Sequence, residues 1–173
     1  LLAASQLSIQ SSRIGRPASQ NLRAVLQDSR WYMFLLAAFV GGISLSAIGS
    51  FLFIYLQDIG AHKPLLAFML TVATLSELPV LYFSSALLKR WGMRNLMAIA
   101  LFFFAIRALA YSFISLPWMA LPIQLFHGLT FSLMWVAGIS YADKIAPPGM
   151  SATAQGLFSG VMLGVGSAAG SLI

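Results

Sequence analysis

The run WYMFLLAAFVGGISLSAIGSFLFIYL, residues 31–56, carries no charged side chain and decides the class of this protein. A helix needs about 20 apolar residues to cross the hydrocarbon core of a bilayer, and this stretch is longer than that. Working outward from it, four more apolar runs follow, each closed by charged or helix-breaking residues. Gln57-Asp58 through Lys63-Pro64 ends the first run, and Lys89-Arg90-Trp91-Gly92-Met93-Arg94 ends the second. Ser115-Leu116-Pro117 and Pro147-Pro148-Gly149 close the third and fourth. The pattern predicts an all-α polytopic membrane protein with five transmembrane helices, at about 31–56, 65–88, 95–114, 118–141 and 151–173.

Composition agrees and excludes much else. Of 173 residues, 60% are hydrophobic and 8% charged, where a soluble domain carries about a quarter charged residues. The absence of cysteine excludes disulfides and thiol catalysis. Two histidines and four acids leave little for a metal site or a hydrolytic triad, and no phosphate-binding loop, dinucleotide fingerprint or zinc-protease motif occurs. We therefore expect no enzyme, no cofactor and no metal.

The net charge of +6 does not predict a nucleic-acid partner, because its location follows topology. Arg13, Arg16, Arg23 and Arg30 precede the first span, Lys89, Arg90 and Arg94 share one loop, and Lys144 lies in another. Only Lys63 falls in the opposite loops, while Arg107 lies within a span. Basic residues collect on the cytoplasmic side. Residues 1–30 are thus expected to form a cytoplasmic arm, and 31–173 a multi-pass body in the cell (inner) membrane. The fifth run is still apolar at Ile173, so the chain reads as one piece of a larger protein.

Glu77, Arg107 and His127 interrupt the spans. An ionised group at the bilayer centre costs roughly 2.5–3.5 kcal/mol even on the lenient insertion scale, and such residues generally mark a solute or proton pathway. From the helical rise, Glu77 lies about 18 Å below the outer end of its helix, Arg107 about 10 Å and His127 about 13 Å. One cluster is geometrically accessible, with Glu77 expected to pair with Arg107. Gln124, His127, Phe131 and Trp135 recur at spacings that share one helix face, offering hydrogen bonds and a stacking plane to a polar ring. The aromatics serve equally well as packing. Pro79, two residues after Glu77, weakens its helix locally. Gly156, Gly160 and Gly164 form a ridge expected to let helix backbones approach closely; Gly166 and Gly170 add a second pair, and Gly41, Gly42 and Gly49 give the first span a similar face.

The loop Lys89-Arg90-Trp91-Gly92-Met93-Arg94 resembles the R-x-G-x-R core of the cytoplasmic loop motif of the major facilitator superfamily, through Arg90, Gly92 and Arg94, with Lys89 where the full motif has an acid. Arg107 and Gln124-Leu-Phe-His127 are similar to the charged helices of the lactose permease branch of oligosaccharide and nucleoside proton symporters. Ser76-Glu77-Leu78-Pro79 and Ala154-Gln155-Gly156 after Pro147-Pro148-Gly149 add to the likeness. Where lactose permease carries Lys, His and Glu on one face, this chain reads Gln124, His127 and Thr130. The resemblance implies helices seven to eleven of a twelve-helix fold, with the N-terminal half of the same transporter as a partner beside the lipid bilayer and a small polar solute. It implies a secondary transporter working by proton-coupled symport of a sugar, nucleoside or similar solute, with the proton as coupling ion and roles for Arg107 and His127; the proton-carrying Glu of lactose permease is missing, and from its cost within the span we expect Glu77 to carry the proton instead. Two alternatives stay open: an efflux pump of the same superfamily, and a non-transporting membrane scaffold that holds partners through its glycine ridge.

Overall fold

In a bilayer every backbone polar group must find its partner inside the segment, which leaves the helix as the spanning unit of a chain without a closed barrel. The computed structural model describes residues 29–172, and the described residues are helical between short turns. The expected arm, with Arg13, Arg16 and Arg23, lies outside them apart from its last two residues. The first apolar run forms α1 (Ser29–Asp58). The second is parted at Phe83 into α2 (Lys63–Tyr82) and α3 (Ser84–Trp91), four residues beyond Pro79. The third forms α4 (Met93–Ser112). The fourth is composite: a tight 3₁₀ turn (Pro117–Met119), α5 (Ala120–Gln124), a π-helical segment (Gly128–Ser132) and α6 (Leu133–Ile145). The fifth is α7 (Ser151–Ser159), a second π segment (Gly160–Gly166) and α8 (Ser167–Ser171).

Four of these units are long and apolar enough to cross a membrane: α1, α2, α4 and the composite Pro117–Ile145. The fifth expected span is continuously helical from residue 151 to 171 but is not among them; Ser151, Thr153, Gln155 and Ser159 dilute its apolar character. The turn between α3 and α4 is a single residue, Gly92, at φ +74°. A side chain is strained there, which accounts for glycine at this point of the basic loop.

Contacts along the helices give their directions. Phe34 stacks on Phe158 near the start of α1, and Ser46 bonds Ser171 across 2.7 Å further along, so α1 and the fifth unit run parallel. Tyr55 near the end of α1 donates to the Ile114 carbonyl just after α4 at 2.6 Å, so α4 runs with α1 too. The short turns reverse α2 and the composite helix between them. One end of the bundle therefore collects Arg30, Lys89, Arg90, Arg94 and Lys144, and the other Lys63.

The glycine expectation is met in part. At Gly42 a Cβ would lie 2.1 Å from the Met162 carbonyl oxygen, at Gly166 2.8 Å from that of Phe39, and at Gly170 2.4 Å from that of Ile43. These three glycines are the seam between α1 and the fifth unit. Gly156, Gly160 and Gly164 are not: nothing lies within 4 Å of a Cβ at any of them among the described residues. The ridge faces the other way because the side of the helix that meets α1 is the one bearing Met162, Gly166 and Gly170.

Two apolar clusters fill the interior. One, at the basic end, includes Trp31, Phe34, Val80, Phe104, Leu133 and Phe158. The other, toward the opposite end, includes Leu52, Leu56, Leu66, Met69, Ile114 and Ala120. Between these clusters, α2 carries Ser76 and Glu77, α4 carries Arg107, and the composite helix carries Gln124, His127 and Thr130. Outside, Tyr82 and Phe113 are 82% and 78% exposed, as expected where lipid takes the place of water.

Candidate functional site

Arg107 sits between the two apolar layers and is 3% exposed. A buried guanidinium is tolerable only if its donors are met, and here the neighbouring helices meet them. Nη2 donates to Gln124 Oε1 at 2.8 Å, Nη1 to Thr130 Oγ1 at 3.2 Å, and Nε to the Tyr111 hydroxyl at 3.2 Å. Nη1 also lies 2.9 Å from His127 Nδ1. Since a guanidinium only donates, Nδ1 is the acceptor, and an uncharged imidazole carries its proton on Nε2. That nitrogen faces Glu77 Oε1 at 3.3 Å, and Ser132 donates to Glu77 Oε2 at 3.1 Å. The line Glu77–His127–Arg107 thus crosses three helical units.

This corrects the expected pairing. Among the described residues no ion pair joins Glu77 to Arg107 directly; the imidazole stands between them. Glu77 and His127 are also the more accessible members, with side chains 21% and 19% exposed, whereas Gln124 and Thr130 are buried.

Local backbone geometry builds this line. Ser76 lies against the composite helix so closely that a Cβ on Gly128 would fall 2.0 Å from its carbonyl oxygen, and its Oγ accepts the Gly128 N–H at 2.9 Å. Glycine at 128 is what lets α2 bring Glu77 to His127. The π segment beginning there adds a residue to the turn, and π insertions are frequent at functional sites. Thr130 closes it by donating to the His127 carbonyl at 2.8 Å.

Phe131 and Trp135 continue the face as a ladder. His127 and Phe131 rings stack at 5.8 Å, Phe131 and Trp135 at 6.0 Å, and Trp135 meets Phe158 at 5.8 Å. Both aromatics are partly buried against the apolar core, so they pack against it while extending the His127 face. Arg107, Gln124 and His127 line a cavity of about 150 Å³, walled by Ile48 and Gly49 of α1 and by Ala73 and Thr74 of α2. Glu77 contacts it only through His127. The loop residues Arg90, Gly92 and Arg94 lie at the basic end, far from this cluster along the helices.

Tyr111 and Ser132 join the site without being among the residues the sequence points to, and Thr130 enters there only as the residue standing where lactose permease has Glu. Tyr111 was accessible, being four residues after Arg107 on one helix face. Ser132 was not, because the π segment shifts the register that brings it to Glu77. Among the described residues no group of histidines and acids is arranged to hold a metal ion, and no buried side-chain polar atom lacks a partner.

Residues 3–173 match the MFS_1 like family. The major facilitator superfamily domain-containing protein 6-like protein A of Xenopus laevis is 31% identical over 144 residues, covering 83% of this chain and 24% of its own. A zebrafish protein, major facilitator superfamily domain-containing protein 6-like, is 30% identical over 177 residues, covering 99% of this chain and 32% of its own. Maltose permease of Geobacillus stearothermophilus is 26% identical over 172 residues, covering 96% of this chain and 44% of its own. The chain thus spans about a quarter to a third of the length of these vertebrate relatives. No solved structure matches it significantly.

Proposed function

The chain belongs to the MFS_1 like family of the major facilitator superfamily, a family of membrane transporters and not of enzymes, and we propose that it forms part of a secondary transporter for a small polar solute coupled to protons. The observation that supports this best is the Glu77–His127–Arg107 line, held between two apolar layers and touching a cavity. A structural pairing of helices needs one acid and one base in contact. Here an imidazole is interposed, hydrogen-bonded to Arg107 on one side and 3.3 Å from Glu77 on the other, beside a face of the protein that is partly open.

Such transporters bind solute near the midplane and rock around it. A cavity of about 150 Å³ is smaller than the roughly 300 Å³ at which solute pockets begin. We therefore take it as one wall of a larger site, completed by the remainder of the transporter. Gln124, His127 and Arg107 would supply donors and acceptors to hydroxyl or carbonyl groups of the solute, and the His127–Phe131–Trp135 ladder an aromatic face.

Coupling follows from the hydrogen-bond chemistry. Ionised Glu77 accepts from Ser132 and attracts the Nε2–H of His127 at 3.3 Å. On gaining a proton it loses one acceptor function and its charge, which slackens its hold on the imidazole and leaves Nε2–H available to the solute. A proton that binds the two conformations differently shifts their populations. A sugar is the first solute to test, since one relative is a maltose permease, and a nucleoside the second. The basic end is taken as cytoplasmic on the positive-inside rule, and the fifth helical unit as a further span.

The full-length protein in liposomes, given an inward proton gradient, should accumulate labelled maltose or uridine and discharge the gradient in step. Accumulation of neither, with no proton movement on adding either, would overturn the reading. Export against the gradient would assign the same site to an efflux pump.

A further inference from the structure

The Gln124 carboxamide has two ends, and the chemistry of Arg107 fixes which way it points. Arg107 Nη2 donates to it at 2.8 Å, and a guanidinium only donates, so the amide oxygen faces Arg107 and Nε2 faces away. Nε2 carries two N–H donors, and among the described residues neither has a partner. Gln124 is 2% exposed, so the chain itself encloses it. Among the described residues no side-chain polar atom sealed from open space is left unpaired. The amide donors therefore give onto the cavity of about 150 Å³ that Gln124 lines.

The rest of that lining has almost no acceptor to offer. Arg107 is its one cation, and no acid is part of it. His127 Nδ1 is taken by Arg107, and Nε2 faces Glu77. Two side-chain oxygens remain. Gln124 Oε1 is engaged by Arg107, and Thr74 Oγ1 donates to the Leu70 carbonyl of its own helix at 3.1 Å. Leu45, Leu52, Phe53 and Leu70 belong to an otherwise apolar wall.

Resting on the reading of this cavity as one wall of a solute site, we propose that the Gln124 amide determines which solutes fit. It takes an oxygen that bears no hydrogen, a carbonyl or carboxylate of the solute, and discriminates against a hydroxyl at that point. A hydroxyl can accept from the amide too. It also brings a hydrogen of its own into a lining whose oxygens are already engaged, and a buried donor left unmet weakens binding at least about fivefold. A site built around one hydrogen-bonding polarity rejects a solute that leaves its buried groups unpaired.

The test measures binding to the full-length protein in detergent by titration calorimetry, with two pairs of probes matched in their rings. Methyl glucuronate and glucose differ in carrying an ester carbonyl or a hydroxymethyl group at carbon 6. Uridine and its analogue without the oxygen at ring position 4 differ in one carbonyl. In the pair that the protein binds, the carbonyl member should bind at least about fivefold tighter. Gln124→Glu keeps the shape and the acceptor toward Arg107 but puts an oxygen where the two donors were, so it should erase that preference. Glucuronate set against its methyl ester tells a carboxylate from a neutral carbonyl, and either one binding tighter than glucose supports the inference. Equal binding within the pair, or tighter binding of the member without the carbonyl, would overturn the inference and leave the solute reading standing. A preference that survives in Gln124→Glu would place the discriminating donor elsewhere and overturn it as well. Binding of none of the probes would overturn the solute reading on which it rests. The comparison in the native protein decides the matter whether or not the variant folds.

Discussion

Adjacent glycines on α1 should respond in opposite ways to the same methyl group. At Gly41 a Cβ meets the terminal methyl of Met134 at 2.8 Å, with the next atom at 3.7 Å. Methionine has three rotatable bonds and yields readily. At Gly42 the Cβ falls 2.1 Å from a backbone carbonyl oxygen, 3.0 Å from its carbon and 3.1 Å from Gly166 Cα. Ordinary contact begins near 3.4 Å, so the fifth unit must withdraw by the difference, 3.4 less 2.1, or about 1.3 Å. It cannot rotate away, since Gly166 and Gly170 of the same unit also seat against α1 backbone, at 2.8 and 2.4 Å. Replacing glycine by alanine in mid-helix stabilises by about 1 kcal/mol in each case, so propensity cancels in the comparison. Overpacking against rigid backbone costs about 1–3 kcal/mol, and that is the predicted gap between Gly42→Ala and Gly41→Ala. Thermal unfolding of the two variants of the full-length protein, purified in one detergent, measures it. Equal stabilities would refute the seam, and a less stable Gly41→Ala would place the contact on the wrong side of α1.

Other substitutions probe the polar line and the ends of the bundle. Gly128→Ala should depress transport strongly, because the methyl drives Ser76 off the π segment and carries Glu77 away from His127; cysteines at 77 and 127 should then cross-link poorly. Arg107→Lys cannot serve Gln124, Thr130, His127 and Tyr111 together, and losing even one charged hydrogen bond costs about 1.5–3 kcal/mol, so uptake and thermal stability should fall together. Ser132→Ala removes a hydrogen bond to the Glu77 carboxylate worth about 1.5–3 kcal/mol and should weaken proton-driven uptake without abolishing it. A cysteine at His62 should react with an impermeant maleimide in intact cells and one at Lys89 only after permeabilisation; the reverse pattern would invert the topology.

Much of the helical frame was readable because charges and prolines are costly in a bilayer and therefore mark where helices begin or end, as at Lys63-Pro64, which opens α2, and Pro147-Pro148, which follows α6. The face each helix turns to its neighbour was less readable. Lipid chains are as apolar as leucine, so an apolar run does not record which side meets protein. Both Gly160 and Gly166 belong to four-residue glycine spacings, and only packing shows that α1 takes the second. The polar residues were legible individually from their cost, and Gln124 and His127 from their shared face. The order Glu77, His127, Arg107 was not, because it depends on the Gly128 contact and a π segment, and neither leaves a hydropathy signal. Tyr111 shows the opposite case: its spacing from Arg107 was available in the sequence.

The central claim is that Glu77 carries the proton and that its line to Arg107 runs through His127. The direct measurement compares two modes of transport by Glu77→Gln in liposomes: exchange of labelled for unlabelled solute, and uphill accumulation driven by a proton gradient. Glutamine keeps the shape and an acceptor toward His127 but cannot release a proton. Exchange should persist while accumulation is lost. If Glu77→Gln still concentrates solute against a gradient, Glu77 only holds helices together and the proton travels elsewhere.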